Sequence, residues 1–71
     1  MISYRPFWET LTNSSETTYT LIKQHHLSSS IIDKLRKNKP LNTKTLDELC
    51  KIFDCTLPDV AEYIVETTVI K

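Results

Sequence analysis

Basic side chains are concentrated in the middle of the 71-residue chain, although its formal net charge is zero. Residues 23–44 carry six basic residues and one acidic residue, which gives a net charge of +5. Residues 45–71 carry two basic and six acidic residues, which gives a net charge of −4. A chain polarised in this way can turn its middle toward an anion and its end away from it. Anion binding is therefore the first chemistry that the sequence indicates.

Other chemistries lack the residues that they need. The chain contains no glycine, which both the phosphate-binding loop and the dinucleotide fingerprint require where the backbone meets phosphate. The two cysteines, Cys50 and Cys55, have no second Cys/His pair at zinc spacing, so we expect thiols that pack as small hydrophobic groups. His25 and His26 have neither a nucleophile nor a third ligand nearby in sequence. We therefore expect no catalytic residue, no metal and no cofactor.

The length of the chain allows one small domain, and we assign residues 1–71 to it. No apolar run approaches the roughly 20 residues that a membrane span needs. The first residues contain no apolar stretch of the kind found in signal peptides. These features predict a cytoplasmic protein that does not enter a membrane.

Helical periodicity and capping residues predict five short helices. Pro6 and Pro58 each suit the first turn of a helix, and Ser28 is a good N-cap. Asn38 tolerates the left-handed backbone with which many helices end. The strongest amphipathic pattern lies in the fourth helix, where apolar residues recur at i, i+3, i+4 and i+7. The predicted helices cover residues 6–13, 18–25, 29–37, 43–53 and 58–63.

These helices predict one core and leave the two ends of the chain in extended structure. Residues 65–70 are dense in β-branched side chains, which favour strands, and residues 2–4 can match them. We expect the ends to pair in a small antiparallel sheet, either within one chain or across a two-fold axis. The expected core consists of Trp8, Leu11, Leu21, Ile22, Leu27, Ile32, Leu35, Leu46, Leu49, Cys50, Phe53 and Val60.

The second and third predicted helices, separated by a turn at His26-Leu27, are typical of a helix-turn-helix motif. Residues 18–39, which include the run Leu27-Ser28-Ser29-Ser30-Ile31-Ile32-Asp33-Lys34, resemble the Cro and phage-repressor (XRE) family of DNA-binding domains. Residues 45–63 and the opening Tyr4-Arg5-Pro6-Phe7-Trp8 resemble a small-regulator branch of that family. The resemblance spans about residues 4–65. It implies an all-α, five-helix lambda-repressor-like bundle with its helix-turn-helix at about residues 18–38.

The resemblance also implies a role for individual residues on double-stranded DNA. The helix at 29–37 would enter the major groove, and the helix before it would lie across the DNA backbone. Lysine can donate to guanine, serine can pair with several bases, and Ile31 could contact a thymine methyl group. The positions that match base-reading residues are Ser29, Ser30, Asp33 and Lys34. Those that match backbone contacts are Thr18, Arg36, Lys37, Asn38, Lys39 and Lys44.

Two functions from different classes are consistent with these features. The first is a sequence-specific DNA-binding transcriptional regulator, a repressor that acts as a homodimer because one helix-turn-helix covers only a half-site. The second is a protein-interaction module on the same scaffold, such as an antitoxin or a phage-encoded inhibitor, which the zero net charge permits.

His26 stands where the family often has glycine, and we expect it to adopt left-handed geometry, which histidine tolerates better than most residues.

Overall fold

The computed structural model describes residues 1–65, which form four α-helices, a short 3-10 turn and a two-stranded sheet. The mainly helical fold is as predicted, and each of the four helices lies where the sequence places one. The helices are α1 (Arg5–Thr12), α2 (Thr18–Lys23), α3 (Ser29–Arg36) and α4 (Thr43–Phe53). The strands are β1 (Ile2–Ser3) and β2 (Glu62–Tyr63), and the 3-10 turn is Leu57–Asp59.

Three of the helices begin with a polar side chain that accepts from a backbone N–H of the first turn. This bond satisfies a donor that has no partner within the helix. At α2 the cap is reciprocal, because Thr20 Oγ1 also accepts from the Thr17 backbone N–H. The caps are Thr17 to the Thr20 N–H at 3.2 Å, Ser28 to the Ile31 N–H at 3.3 Å and Asn42 to the Thr45 N–H at 2.8 Å.

The same three helices end on left-handed residues without the use of glycine. His26 has a φ of 62°, Asn38 a φ of 55° and Asp54 a φ of 51°. At each end the residue after the left-handed one closes the turn by donating its N–H to a carbonyl five or six residues earlier, which satisfies a helix acceptor that has no other partner. The left-handed geometry predicted for His26 and Asn38 is confirmed. The closing bonds are Leu27 to Leu21 at 3.0 Å, Lys39 to Lys34 at 2.9 Å and Cys55 to Cys50 at 3.0 Å.

The prediction of a fifth helix at 58–63 is wrong. The chain makes a single 3-10 turn at Leu57–Asp59 and then continues into β2. Asp59 Oδ2 accepts from the Thr56 backbone N–H at 3.2 Å, which stabilises one turn. A longer helix would use the backbone groups that β2 needs for its pairing with β1. Pairing with a strand near the other end of the chain therefore overrides the local helical signal.

The predicted sheet between the ends of the chain is present, and its strands belong to one chain. β1 and β2 are antiparallel, with Ile2 opposite Tyr63 and Ser3 opposite Glu62. The second strand begins earlier than predicted: Val65 is exposed and lies beyond β2, and residues 66–70 lie outside the described residues. Arg5 Nε lies 3.6 Å from Glu62 Oε2 and links the start of α1 to β2.

One hydrophobic core joins the helices to the sheet. Seven of the predicted core residues are buried, and Tyr4 and Phe7 are buried in addition. Phe7 packs edge-on against Trp8 and Phe53, with ring centroids 4.9 and 5.8 Å away. The other predicted members lie half-buried around the core: Trp8, Ile22, Leu46, Cys50 and Phe53. Among residues 1–65, no helix combines the length and apolar character needed to cross a membrane.

Candidate nucleic-acid interface

The turn between α2 and α3 is fixed from inside the protein. Leu21 and Leu27 are buried on either side of it, and the Leu27 N–H donates to the Leu21 carbonyl across the turn. Ile32 and Leu35 of α3 are also buried. Because these apolar side chains face the core, α3 is held with its opposite face in solvent.

The exposed face of α3 carries the residues predicted to read bases. Ser29, Ser30, Asp33 and Lys34 are all exposed. Ser30 Oγ lies 3.0 Å from Ser28 Oγ, so its hydroxyl is close to the cap of the helix. Ile31 is half-buried against the core, which leaves only part of its side chain for contact with a base. The structure thus brings the four predicted base readers together on one accessible surface.

A carboxylate on this face is balanced by a neighbouring lysine. Asp33 Oδ2 lies 3.3 Å from Lys37 Nζ, one helical turn further along α3. An unpaired carboxylate would repel DNA phosphates. Close pairing with Lys37 reduces that repulsion, although the exposed pair contributes little to stability.

The last turn of α3 packs against α1 through Trp8. The Trp8 indole Nε1–H donates to the Leu35 carbonyl at 3.4 Å. The Arg36 guanidinium carbon lies 5.6 Å from the centre of the Trp8 ring, within the range of a cation–π contact. α1 thus places the Trp8 indole against the end of α3. Arg36 is consequently supported on an aromatic face.

Tyr4 braces the loop that follows α3. Its backbone N–H donates to Asn38 Oδ1 at 2.9 Å, and its hydroxyl donates to the Lys39 carbonyl at 2.7 Å. Burial raises the pKa of the Tyr4 phenol, against a smaller lowering from the backbone of Leu41. Lys37 and Lys39 remain exposed. Sequence reasoning overlooked Tyr4 because its partners lie more than 30 residues away in the chain.

The Glu16 carboxylate is held by two side chains beside the start of α2. Glu16 Oε1 accepts from the Thr20 hydroxyl at 2.7 Å, and Glu16 Oε2 lies 3.3 Å from His25 Nε2. The Thr20 hydrogen bond, followed by the contact with His25, lowers the pKa of Glu16. Thr18 is half-buried at this end of the helix, and Lys44, at the start of α4, is exposed.

The histidine, cysteine and acidic side chains form no metal-binding cluster in the part of the chain that the structure describes. No group of three or more His, Cys, Asp or Glu side chains is arranged to hold a metal ion among residues 1–65. Cys50 and Cys55 are free, half-buried thiols. Burial, with a smaller effect of the neighbouring Cys50, raises the pKa of the Cys55 thiol. A raised pKa lowers the thiolate fraction and hence the reactivity of the thiol.

Comparison with known proteins agrees with this geometry. The family model of the Cro/C1-type HTH (helix-turn-helix) DNA-binding domain matches residues 7–66. No curated protein and no solved structure matches the chain.

Proposed function

Since the chain belongs to the Cro/C1-type HTH DNA-binding domain family, we propose that it is a sequence-specific transcriptional regulator. We propose that it represses transcription by inserting α3 into the major groove, that it acts in the cytoplasm and that it catalyses no reaction. The observation that carries the proposal is the exposed polar face of α3, which is followed by a loop that exposes Lys37 and Lys39. A helix of this kind can read base edges while flanking cations bind phosphate.

In this proposal, recognition of bases centres on Lys34. Its ammonium can donate to guanine O6 and N7, and it lies on the exposed face of α3. Ser29 and Ser30 are short and can reach a base edge only at the first turn, where the helix comes closest to the groove. Asp33 can accept from cytosine N4, and its pairing with Lys37 makes close approach to DNA less costly.

The phosphate contacts are assigned to four exposed cations from the end of α3 to the start of α4, together with the polar residues Thr18 and Asn38. Arg36 is supported by Trp8, and the loop after α3 is braced by Tyr4. Such contacts position the protein without reading sequence. The proposed backbone-binding residues are Thr18, Arg36, Lys37, Asn38, Lys39 and Lys44.

We also propose that the protein binds DNA as a homodimer. Six exposed apolar residues, here called the terminal apolar surface, lie on or beside the sheet and the 3-10 turn: Met1, Ile2, Leu57, Tyr63, Ile64 and Val65. Among the described residues, the one large exposed hydrophobic side chain outside this surface is Tyr19. The surface adjoins an apolar groove of about 380 Å³ that Pro40, Leu41 and Leu46 help to line.

We propose that a second copy of the chain covers this surface and removes its apolar side chains from water. Exposed apolar patches mark interaction sites, and the unpaired edge of a two-stranded sheet can pair with the same strand across a two-fold axis. The Arg5–Glu62 ion pair balances the charge beside the sheet. A two-fold dimer would also supply the second recognition helix that a palindromic site requires.

Fluorescence anisotropy with a selected duplex and a random duplex tests the proposal. Lys34→Ala should weaken binding to the selected site by roughly 1–3 kcal/mol and affect the random duplex little. Lys51→Ala is the matched control, because this exposed lysine lies on α4 and pairs with Asp47 at 3.1 Å. Equal losses of affinity on both duplexes would mean that Lys34 contacts a phosphate and does not read a base.

The alternative function is a protein-interaction module on the helix-turn-helix scaffold, such as an antitoxin or a phage-encoded inhibitor. The terminal apolar surface favours it, since that surface suits any apolar partner. Absence of binding to either duplex, even at low salt, would support this alternative and reject the DNA-binding role.

A further inference from the structure

We propose that Tyr4 is a positioning residue for DNA binding. It holds the loop after α3, here called the basic loop (residues 37–40), so that Lys39 is presented to a DNA phosphate. This inference rests on the proposed function, because Lys39 acts only when DNA is bound.

The contacts of Tyr4 reach two successive residues of the basic loop. Its side chain is almost fully buried, with 3% of the residue exposed. Its N–H donates to the Asn38 side chain at 2.9 Å and its hydroxyl donates to the Lys39 carbonyl at 2.7 Å. Two short bonds from one buried residue determine where this part of the loop lies. Packing of the ring alone would need neither bond.

The backbone of Lys39 is held on both sides. Its N–H donates to the Lys34 carbonyl at 2.9 Å, which closes the end of α3. Its carbonyl accepts from the Tyr4 hydroxyl, while its side chain is exposed. A cation on a fixed backbone loses less conformational freedom when it binds phosphate. The bond from Tyr4 therefore favours the bound arrangement before DNA arrives.

The loop needs a brace because Asn38 has a left-handed backbone, with a φ of 55°. Asparagine adopts this conformation more readily than most residues, but at a cost that glycine does not have, and contacts from elsewhere help to hold it. The bond from the Tyr4 N–H to Asn38 Oδ1 supplies one such contact. Tyr4 directly follows β1, so the sheet in turn holds Tyr4 in place.

The test compares Tyr4→Phe, Lys39→Ala and the double variant Tyr4→Phe/Lys39→Ala on a random-sequence duplex over a range of salt concentrations. Tyr4→Phe keeps the ring and removes only the hydroxyl. We expect its binding to weaken by about three- to tenfold, because the loop must then be ordered when DNA binds. We also expect the slope of log K against log salt to become shallower by up to about one unit, as it should in Lys39→Ala. The double variant should bind no more weakly than Lys39→Ala alone.

Thr10→Val is the matched control, because it also removes a hydroxyl that donates to a distant backbone carbonyl, that of Asp59 at 2.7 Å, and it should leave the slope unchanged. Asn38→Gly tests the brace without touching the Tyr4 ring, since glycine accepts the left-handed backbone but cannot accept from the Tyr4 N–H. It should also make the slope of log K against log salt shallower, and it stands in for Tyr4→Phe if thermal melting shows that variant to be unfolded.

A wild-type slope in the folded variants, or fully additive losses in the double variant, would overturn the inference. Failure of the wild-type protein to bind the duplex at low salt would instead reject the DNA-binding role on which the inference rests.

Discussion

At the residue scale, the left-handed positions are where this glycine-free chain stores backbone strain. His26 has a φ of 62° in the turn of the helix-turn-helix. The left-handed conformation costs a non-glycine residue roughly 1–2 kcal/mol, while glycine adopts it without that cost but loses more entropy on folding. His26→Gly should therefore stabilise the protein by about 0.5–1 kcal/mol, measured by urea unfolding.

Asp54→Gly provides the comparison, because Asp54 is exposed with a φ of 51° outside the proposed interface. Aspartate visits this region more readily than most residues, so we expect a smaller gain there. A loss of stability in His26→Gly would show that the imidazole makes a contribution larger than the strain.

At the scale of elements, α4 anchors the core through Leu49, which is fully buried. Leu49→Ala should lower the free energy of unfolding by roughly 2–5 kcal/mol, because it removes buried methyl groups and leaves a cavity. Leu57→Ala, at a residue that is 52% exposed, should change it by less than about 0.5 kcal/mol. Similar effects in both variants, measured by urea unfolding, would contradict the placement of the buried face of α4.

The second element-scale prediction concerns pH and α2. The pKa of Glu16 is lowered from 4.5 by the Thr20 hydroxyl and then by His25. The ionised carboxylate is thus favoured in the folded protein, and its stabilisation is present above pH 4.5 and lost as the pH falls through the lowered pKa. Glu16→Gln should make stability less dependent on pH below that value, as measured by thermal unfolding across a pH series. Glu48→Gln, on exposed α4 surface, is the control, and an unchanged pH profile in Glu16→Gln would contradict the prediction.

At the scale of the whole molecule, the separation of charge predicts steep salt dependence. If about five cations from α3, the basic loop and the start of α4 neutralise phosphates, log K should fall with log salt at a slope of roughly −4 to −5 for each protomer bound. Lys51→Ala should leave the slope unchanged, because that lysine lies in the acidic half of the sequence and pairs with Asp47. A slope near zero in the wild-type protein would mean that the basic middle is a solvated surface.

Oligomeric state is the other property of the whole molecule. Val65 is 74% exposed on the terminal apolar surface, so Val65→Glu should disturb a two-fold contact without removing any core residue. Sedimentation should show a shift from dimer to monomer, and affinity for a palindromic duplex should fall while a single half-site is bound as before. Thr12→Glu, which adds the same charge at an exposed position at the end of α1, is the control and should leave the dimer intact. Truncation after Glu62 is the harsher test: retention of both the dimer and the palindrome affinity would exclude the terminal residues from the interface.

The sequence by itself determined the features that depend on neighbours within a turn or two of helix. Ser28 caps the helix that follows it, as expected, and His26 and Asn38 adopt the left-handed geometry expected of them. Such capping bonds and backbone preferences are local, so they can be read without knowing the fold. The alternation of buried and exposed positions on α3 was also predictable, and with it the exposure of the residues predicted to read bases.

The tertiary structure alone decided what depends on distant partners. The residues at 58–63 have helical features, yet β1, at the other end of the chain, draws Glu62–Tyr63 into a strand. Tyr4 is buried because Asn38 and Lys39, 34 and 35 residues away, accept its hydrogen bonds. The Trp8 side chain of α1 contacts the end of α3, where its indole N–H donates to the Leu35 carbonyl. Pairing and burial are properties of surfaces that meet only after folding, so local preference cannot reveal them.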